Sequence, residues 1–258
     1  MSAQPATQLE AGPEALVRFR GLWKSFGPKR IFEDLNLDVR KGQTLTIIGG
    51  SGTGKSVLLK CLIGLLFPDR GEVLLDGQDV SHMNEHQLRE VRKRVAMVFQ
   101  GAALFDSLSV ADNIAYPIRE HFKKLSEAEI AERVKQKLEL VNLPGTENMR
   151  PSDLSGGMRK RVGLARAIAI DPEVILFDEP TTGLDPISTR VIDELIVSMK
   201  KRLHCTQIVV THDMDSAFRV SDRMAMLAKR HIVAEGTVAE MKASTNADVR
   251  AFFDARSS

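Results

Sequence analysis

TLTIIGGSGTGKSVLLKCL, running from Thr44 to Leu62, passes from an apolar, β-branched run through a glycine-rich turn into a helical pattern. Its middle, Gly49 to Ser56, places a glycine, four variable residues and then Gly-Lys-Ser in the spacing of a phosphate-binding loop. That chemistry needs these residue types. The glycines let the backbone curl so that successive N–H groups along Gly49, Ser51, Gly52, Thr53 and Gly54, with the helix start behind them, converge on phosphate oxygens. Lys55 then reaches the outer phosphates, and the Ser56 hydroxyl is placed to ligate Mg²⁺. A flexible Gly/Ser turn is the plain alternative. A strand before, and a helix after with Val57, Leu58, Cys61, Leu62 and Leu65 on one apolar stripe, weigh against it.

Outward from the loop, VILFDEP (Val174 to Pro180) ends a buried strand in two adjacent carboxylates. Ligands of open parallel sheets sit beyond the carboxyl ends of strands, which places Asp178 to hold the magnesium shell and Glu179 to face an attacking water. Two acids that merely solvate a strand end are the alternative; the phosphate loop upstream argues against it. VAMVF (95 to 99) and QIVVTH (207 to 212) complete a set of short Val/Ile-rich runs that look buried on both faces and predict a mostly parallel α/β sheet. Between Gly101 and Ile170 strand signals fade and helical stretches take over at Ser109 to Tyr116, Ser126 to Val141 and Ser155 to Ile170. Beyond Val220, MAMLA and HIVAEG look like edge strands and VRAFF like a closing helix. In LSGGMRKRVGLARAIAI (Leu154 to Ile170), Ser155 caps a helix whose Gly156 and Gly157 expose amides at its positive end, a second anion site if it is more than an ordinary capped helix with a basic outer face.

Composition bounds the rest. A chain of 258 residues, 43% hydrophobic, buries a substantial core, and its formal charge of +2 offers no blanket surface for nucleic acid, so no nucleic-acid partner is expected. No apolar run approaches the roughly 20 residues that cross a bilayer. Residues 1–14 have neither a basic nor an apolar region and read as a loose leader, not a secretory signal. Cys61 and Cys205 lack metal-ligand spacing and read as reduced, buried, small apolar residues.

Taken in order, the phosphate loop, Gln100 after VAMVF, LSGGM, VILFDEP, TTGLDP with Asp185, and His212 in VVTHD resemble the ATP-binding-cassette (ABC) ATPase family over nearly the whole chain. The resemblance implies an α/β P-loop NTPase built as one domain over 15–258. Its RecA-like, mostly parallel core would take residues 15–100 and 171–258, with an N-terminal antiparallel β portion and an inserted helical subdomain over 101–170. It implies ATP and Mg²⁺ as ligands, and a homodimer in which each ATP lies between Gly49 to Ser56 of one copy and Ser155, Gly156 and Gly157 of the other. By position, Glu179 is then the general base, His212 contacts the γ-phosphate, Gln100 touches Mg²⁺ and the attacking water, and Asp185 links the two sites. Phe26 sits where the family stacks an aromatic on adenine, although Trp23 could take that place or simply pack on the sheet.

The segment from Val91 to His121, with GAALFDSLSV and NIAYPIREH, is similar to that of the Mla/Mce-type cassettes, which energise lipid transport between bacterial membranes. That similarity implies a cytoplasmic subunit held on the inner face of the bacterial inner membrane by permease subunits docking near Gln100 to Phe105, with further lipid-binding subunits. Ala102, Ala103, Leu104 and Phe105 suit either a groove for a partner helix or subdomain core. An import cassette for a small polar solute, or a soluble cassette outside transport, shares the same chemistry.

Overall fold

The computed structural model describes residues 15–255, so the leader expected over 1–14 lies outside the described residues. Two twelve-residue strands, β1 (Ala15–Phe26) and β2 (Lys29–Arg40), form an antiparallel hairpin turned by Gly27 and Pro28, with Phe26 opposite Lys29. Every inward position of β2 from Ile31 onward is apolar, and outward positions carry Glu33, Asp34, Asn36 and Arg40, the alternation of a sheet with one wet face. After β3 (Thr44–Ile48) and α1 (Lys55–Leu62), β4 (Arg70–Leu75) and the short β5 (Gln78–Asp79) join the hairpin in a four-stranded sheet ordered β2-β1-β4-β5.

Next come α2 (Glu85–Arg94), begun by a reciprocal Asn84–Gln87 capping box, and β6 (Val95–Val98). Helices then follow without a strand: α3 (Val110–His121), α4 (Glu127–Leu140) and α5 (Gly156–Ala167), capped by Ser109, Ser126 and Ser155 respectively. The chain returns through β7 (Val174–Asp178), α6 (Pro186–Leu203), β8 (Thr206–Val210), α7 (Met214–Val220), β9 (Arg223–Ala228) and β10 (His231–Thr237). It closes with α8 (Val238–Lys242) and α9 (Ala247–Asp254).

The second sheet has the order β10-β9-β3-β8-β7-β6; every pairing from β9 to β6 is parallel, and only β10 runs antiparallel to β9. All residues of β3, β7 and β8 are buried, as strands with covered faces on both sides require. One apolar cluster fills the space between the two sheets around α1; a second joins α3, α4, α5 and α6 to the far face of β7 and β8.

Three sequence expectations change here. VAMVF is not buried on both faces: β6 is the terminal strand, and Ala96, Met97 and Phe99 stay partly exposed. MAMLA is not an edge strand, since β9 lies between β3 and β10, and Met224, Ala225, Met226 and Leu227 are buried. Apolar content reports burial of faces and says little about position across the sheet, which is set by hydrogen-bond neighbours. The apolar stripe expected after the phosphate loop is also shorter: α1 ends at Leu62, Leu59 is buried on it, and Leu65 lies beyond it, exposed.

Candidate functional site

Four adjacent strands, β3, β8, β7 and β6, deliver Gly49–Ser56, His212, Glu179 and Gln100 from their carboxyl ends to one edge of the sheet. They border a cleft of about 680 Å³ lined by Phe26, Lys29, Ile31, Ser51 to Val57, Gln100, Glu179 and His212.

The loop after β3 holds its shape by glycines in left-handed backbone, with φ of 151° at Gly49, 74° at Gly52 and 106° at Gly54. At two of them there is also no room. A Cβ on Gly49 would lie 2.3 Å from the carbonyl oxygen of Leu227, and one on Gly54 would lie 2.5 Å from Ile31 Cγ2. Gly54 caps α1 without a side-chain bond and the first turn of that helix carries no acid of its own, so no side chain within that turn competes for its N–H groups. Lys55 is buried and donates to the carbonyl oxygens of Gly49 and Gly50 at 2.9 and 3.0 Å, lying along the loop. Ser56 Oγ donates to Asp178 Oδ1 at 2.6 Å, which joins the end of the loop to the end of β7.

Glu179 has φ of 50°, in the left-handed region that a residue with a Cβ seldom enters. Its backbone N–H donates to Val210 O at 2.9 Å, and its Oε2 accepts from Thr182 Oγ1 at 3.3 Å and from the His212 N–H at 3.4 Å. Nδ1 of His212 lies 2.8 Å from the same oxygen. His212 itself sits in a short connection: Asp213 begins α7 by accepting from Ser216 N at 3.1 Å and donates its own N–H to Thr211 Oγ1 at 3.0 Å.

Gln100 is exposed in the turn after β6, and that turn is braced from behind. Ala102 and Ala103 have φ of 61° and 50°, and the Arg166 guanidinium, from α5, donates to their carbonyl oxygens at 2.9 and 2.8 Å. Ala102 also sits against Gly163, where an added Cβ would lie 3.1 Å from Ala102 Cβ. The apolar run after Gln100 is divided by this: Ala102 is buried, whereas Ala103 and Phe105 line a separate groove of about 470 Å³ with Phe99, Met97, Tyr116 and Arg166. Phe105 and Tyr116 pack ring to ring at 5.2 Å, and buried Asn113 holds both the N–H and the carbonyl of Phe105.

Ser155, Gly156, Gly157 and Asp185 do not line the cleft. Ser155 caps α5 through Met158 N, and Asp185 caps α6 through Ile187 N and Ser188 N, and both cap residues are exposed. Trp23 does not line it either, which leaves Phe26 as the aromatic at its mouth, with the Lys24 ammonium 5.4 Å from the ring centroid. Lys29, Ile31 and Thr182 were not legible as site residues, because a hairpin side chain and a loop hydroxyl have no spacing signature. Cys61 and Cys205 are buried free thiols, and burial pushes Cys61 up to about 12.

The family described as ABC transporter matches residues 32–182. The chain is 45% identical to the intermembrane phospholipid transport system ATP-binding protein MlaF of Haemophilus influenzae, over 94% of this chain and 91% of that one. It is 44% identical to the probable ribonucleotide transport ATP-binding protein mkl of Mycobacterium tuberculosis, over 98% of this chain and 70% of that one. Among solved structures it superposes on the ATP-binding cassette MJ0796, captured as a dimer in a post-hydrolysis state with ADP and Pi. That match has a TM-score of 0.79 and 29% identity, covering 86% of this chain and 98% of the other. The match to cbiO1 of Clostridium perfringens has a TM-score of 0.82 and 28% identity, covering 89% and 91%.

Proposed function

The chain belongs to the ABC transporter family, and from that premise we propose that it is the ATP-hydrolysing subunit of a transporter moving phospholipid or a related lipid across or between bacterial membranes. The observation that carries this reading is the cleft, where a glycine-shaped anion loop, a carboxylate and a histidine meet beside an exposed glutamine. In it Phe26 stacks on adenine, the amides of Gly49 to Gly54 and the Lys55 ammonium hold the phosphates, and Glu179 takes the proton of the attacking water. His212, fixed against Glu179 Oε2, turns toward the γ-phosphate, and Gln100 contacts the attacking water.

The residues present fit Mg²⁺. Ser56 and Asp178 bring two hard oxygens together with Gln100 nearby, and this ion takes one or two protein oxygens and the remainder from phosphates and water. When bound it neutralises phosphate charge. We assign Ser56, Asp178 and Gln100 to hold it.

The Ser155–Gly157 end of α5 and the exposed Asp185 lie outside the lining of this copy's own cleft, which supports a head-to-tail homodimer with two shared ATP sites. Residues 15–258 then act as one cassette, with 101–170 its helical subdomain. The apolar groove beside Gln100 to Phe105 is assigned to a permease helix, so the chain would sit peripherally on the inner face of the inner membrane. Among the described residues no helix is long and apolar enough to cross a bilayer. Similarity to the phospholipid transport proteins favours lipid as cargo and further lipid-binding subunits as companions. The ribonucleotide transport name of the mycobacterial relative favours a second reading, a small polar solute.

Two variants test the chemistry. Lys55→Ala is expected to abolish ATP-dependent pairing, and Glu179→Gln to retain ATP and accumulate the closed dimer in gel filtration. Undiminished turnover by Glu179→Gln would remove that residue from its role. Mass spectrometry of the natively purified complex decides the cargo: a bound phospholipid supports the first reading, a ribonucleotide or other polar solute the second.

A further inference from the structure

Lys160 stands one turn into α5, and its ammonium donates to Pro180 O at 2.8 Å and Thr182 O at 2.6 Å. Both carbonyls belong to the turn that leaves β7 through Glu179, and Thr182 also supplies the hydroxyl that holds Glu179 Oε2. A non-glycine residue in left-handed backbone keeps that conformation only where its surroundings over-determine it. Here the fastening comes from a different element. The ammonium is half-buried; burial draws its pKa down while the Glu179 carboxylate draws it up, so the two charges lie within electrostatic reach.

We infer that Lys160 is a positioning residue for ATP hydrolysis: it fastens the turn after Glu179 to α5 and thereby aims the carboxylate at the attacking water. The inference rests on Glu179 being the general base. It has a consequence for communication between sites. The first turn of α5 also packs on the Asp185 turn, since a Cβ on Gly157 would lie 3.2 Å from Ser188 Oγ and one on Gly156 4.0 Å from Leu184 Cδ2. Gly157 and Lys160 are separated by about 4.5 Å of helix rise. A displacement of Ser155 to Gly157 on meeting the partner copy's nucleotide is therefore carried rigidly to this copy's own Glu179.

The test uses the full chain and compares Lys160→Met with Lys160→Arg, whose guanidinium can still donate to both carbonyls. For Lys160→Met, kcat should fall at least tenfold while KM and the affinity for a fluorescent ATP analogue stay within twofold; Lys160→Arg should return to within threefold of the parent. In a Glu179→Gln background, adding Lys160→Met should cause no further loss of residual turnover and should leave the ATP-dependent dimer intact, because the interaction it serves is already gone. Should the methionine variant fail to fold, Lys160→Gln, a shorter donor, should show the same split between kcat and KM at threefold or more. Parent-like kcat in a folded variant, a parallel loss of kcat and nucleotide affinity, or a further tenfold loss in the Glu179→Gln background would each overturn the inference. Full turnover in Glu179→Gln alone sinks the assignment of the base, whereas full turnover in Lys160→Met beside an inactive Glu179→Gln sinks only the role of Lys160.

Discussion

A single methyl group at Gly54 would have to fit between Ile31 and Phe32 while its residue kept φ at 106°. Strain and overpacking together are expected to cost about 2 to 4 kcal/mol in Gly54→Ala. Urea unfolding should read that loss, and nucleotide affinity should collapse, because relief of the clash moves the amides that α1 presents. At Gly50, in ordinary backbone with 3.7 Å of clearance to Thr53 Cγ2, alanine should cost little stability. The cysteines give a second check at this scale. Both thiols are buried and their pKa values are pushed up, so iodoacetamide at pH 8 should label neither in the native chain and both in denaturant. Rapid labelling of native Cys61 would contradict its placement on the inner side of α1.

At the scale of elements, the short Val/Ile runs and the Ser155 cap were legible because each records a local requirement: double-faced burial for β3, β7 and β8, and satisfied amide groups for α5. The loop between β6 and α3 was not. Nothing in Gln-Gly-Ala-Ala announces that two alanines take left-handed backbone, since that conformation is imposed by Arg166 reaching across from α5, more than 60 residues away. Arg166→Leu would leave both carbonyls without this donor. It should lower stability by about 1 to 3 kcal/mol in chemical denaturation. If the groove receives the permease helix as proposed, it should also weaken capture of the permease, because Arg166 and the Phe105 ring it faces, 5.8 Å away, border that groove. A variant with parent stability would show that the bracing is dispensable.

For the whole molecule, the proposed head-to-tail pairing, in which the exposed α5 N-terminus and Asp185 meet a second copy, would leave the cassette incomplete by itself. ATPase activity per mole of chain should therefore fall on dilution, following second-order pairing. Ile187 is 80% exposed two residues beyond Asp185, and the proposed pairing would cover it. Ile187→Glu should raise the concentration needed for half-maximal activity tenfold or more while leaving nucleotide affinity of the single chain unchanged; constant specific activity across dilution would exclude the shared-seam scheme. Residue type within a short stretch was enough to read the sheet class, the glycine-rich turn between β3 and α1, the two acids at the end of β7 and the order of the motifs. It took the packed chain to reveal that β9 is interior and β6 an edge, that Phe26 and not Trp23 borders the cleft, and that Lys160 and Arg166 hold the two site loops to one helix. Those facts depend on which strands pair and how far a side chain reaches between distant segments, and no local pattern of residues encodes either.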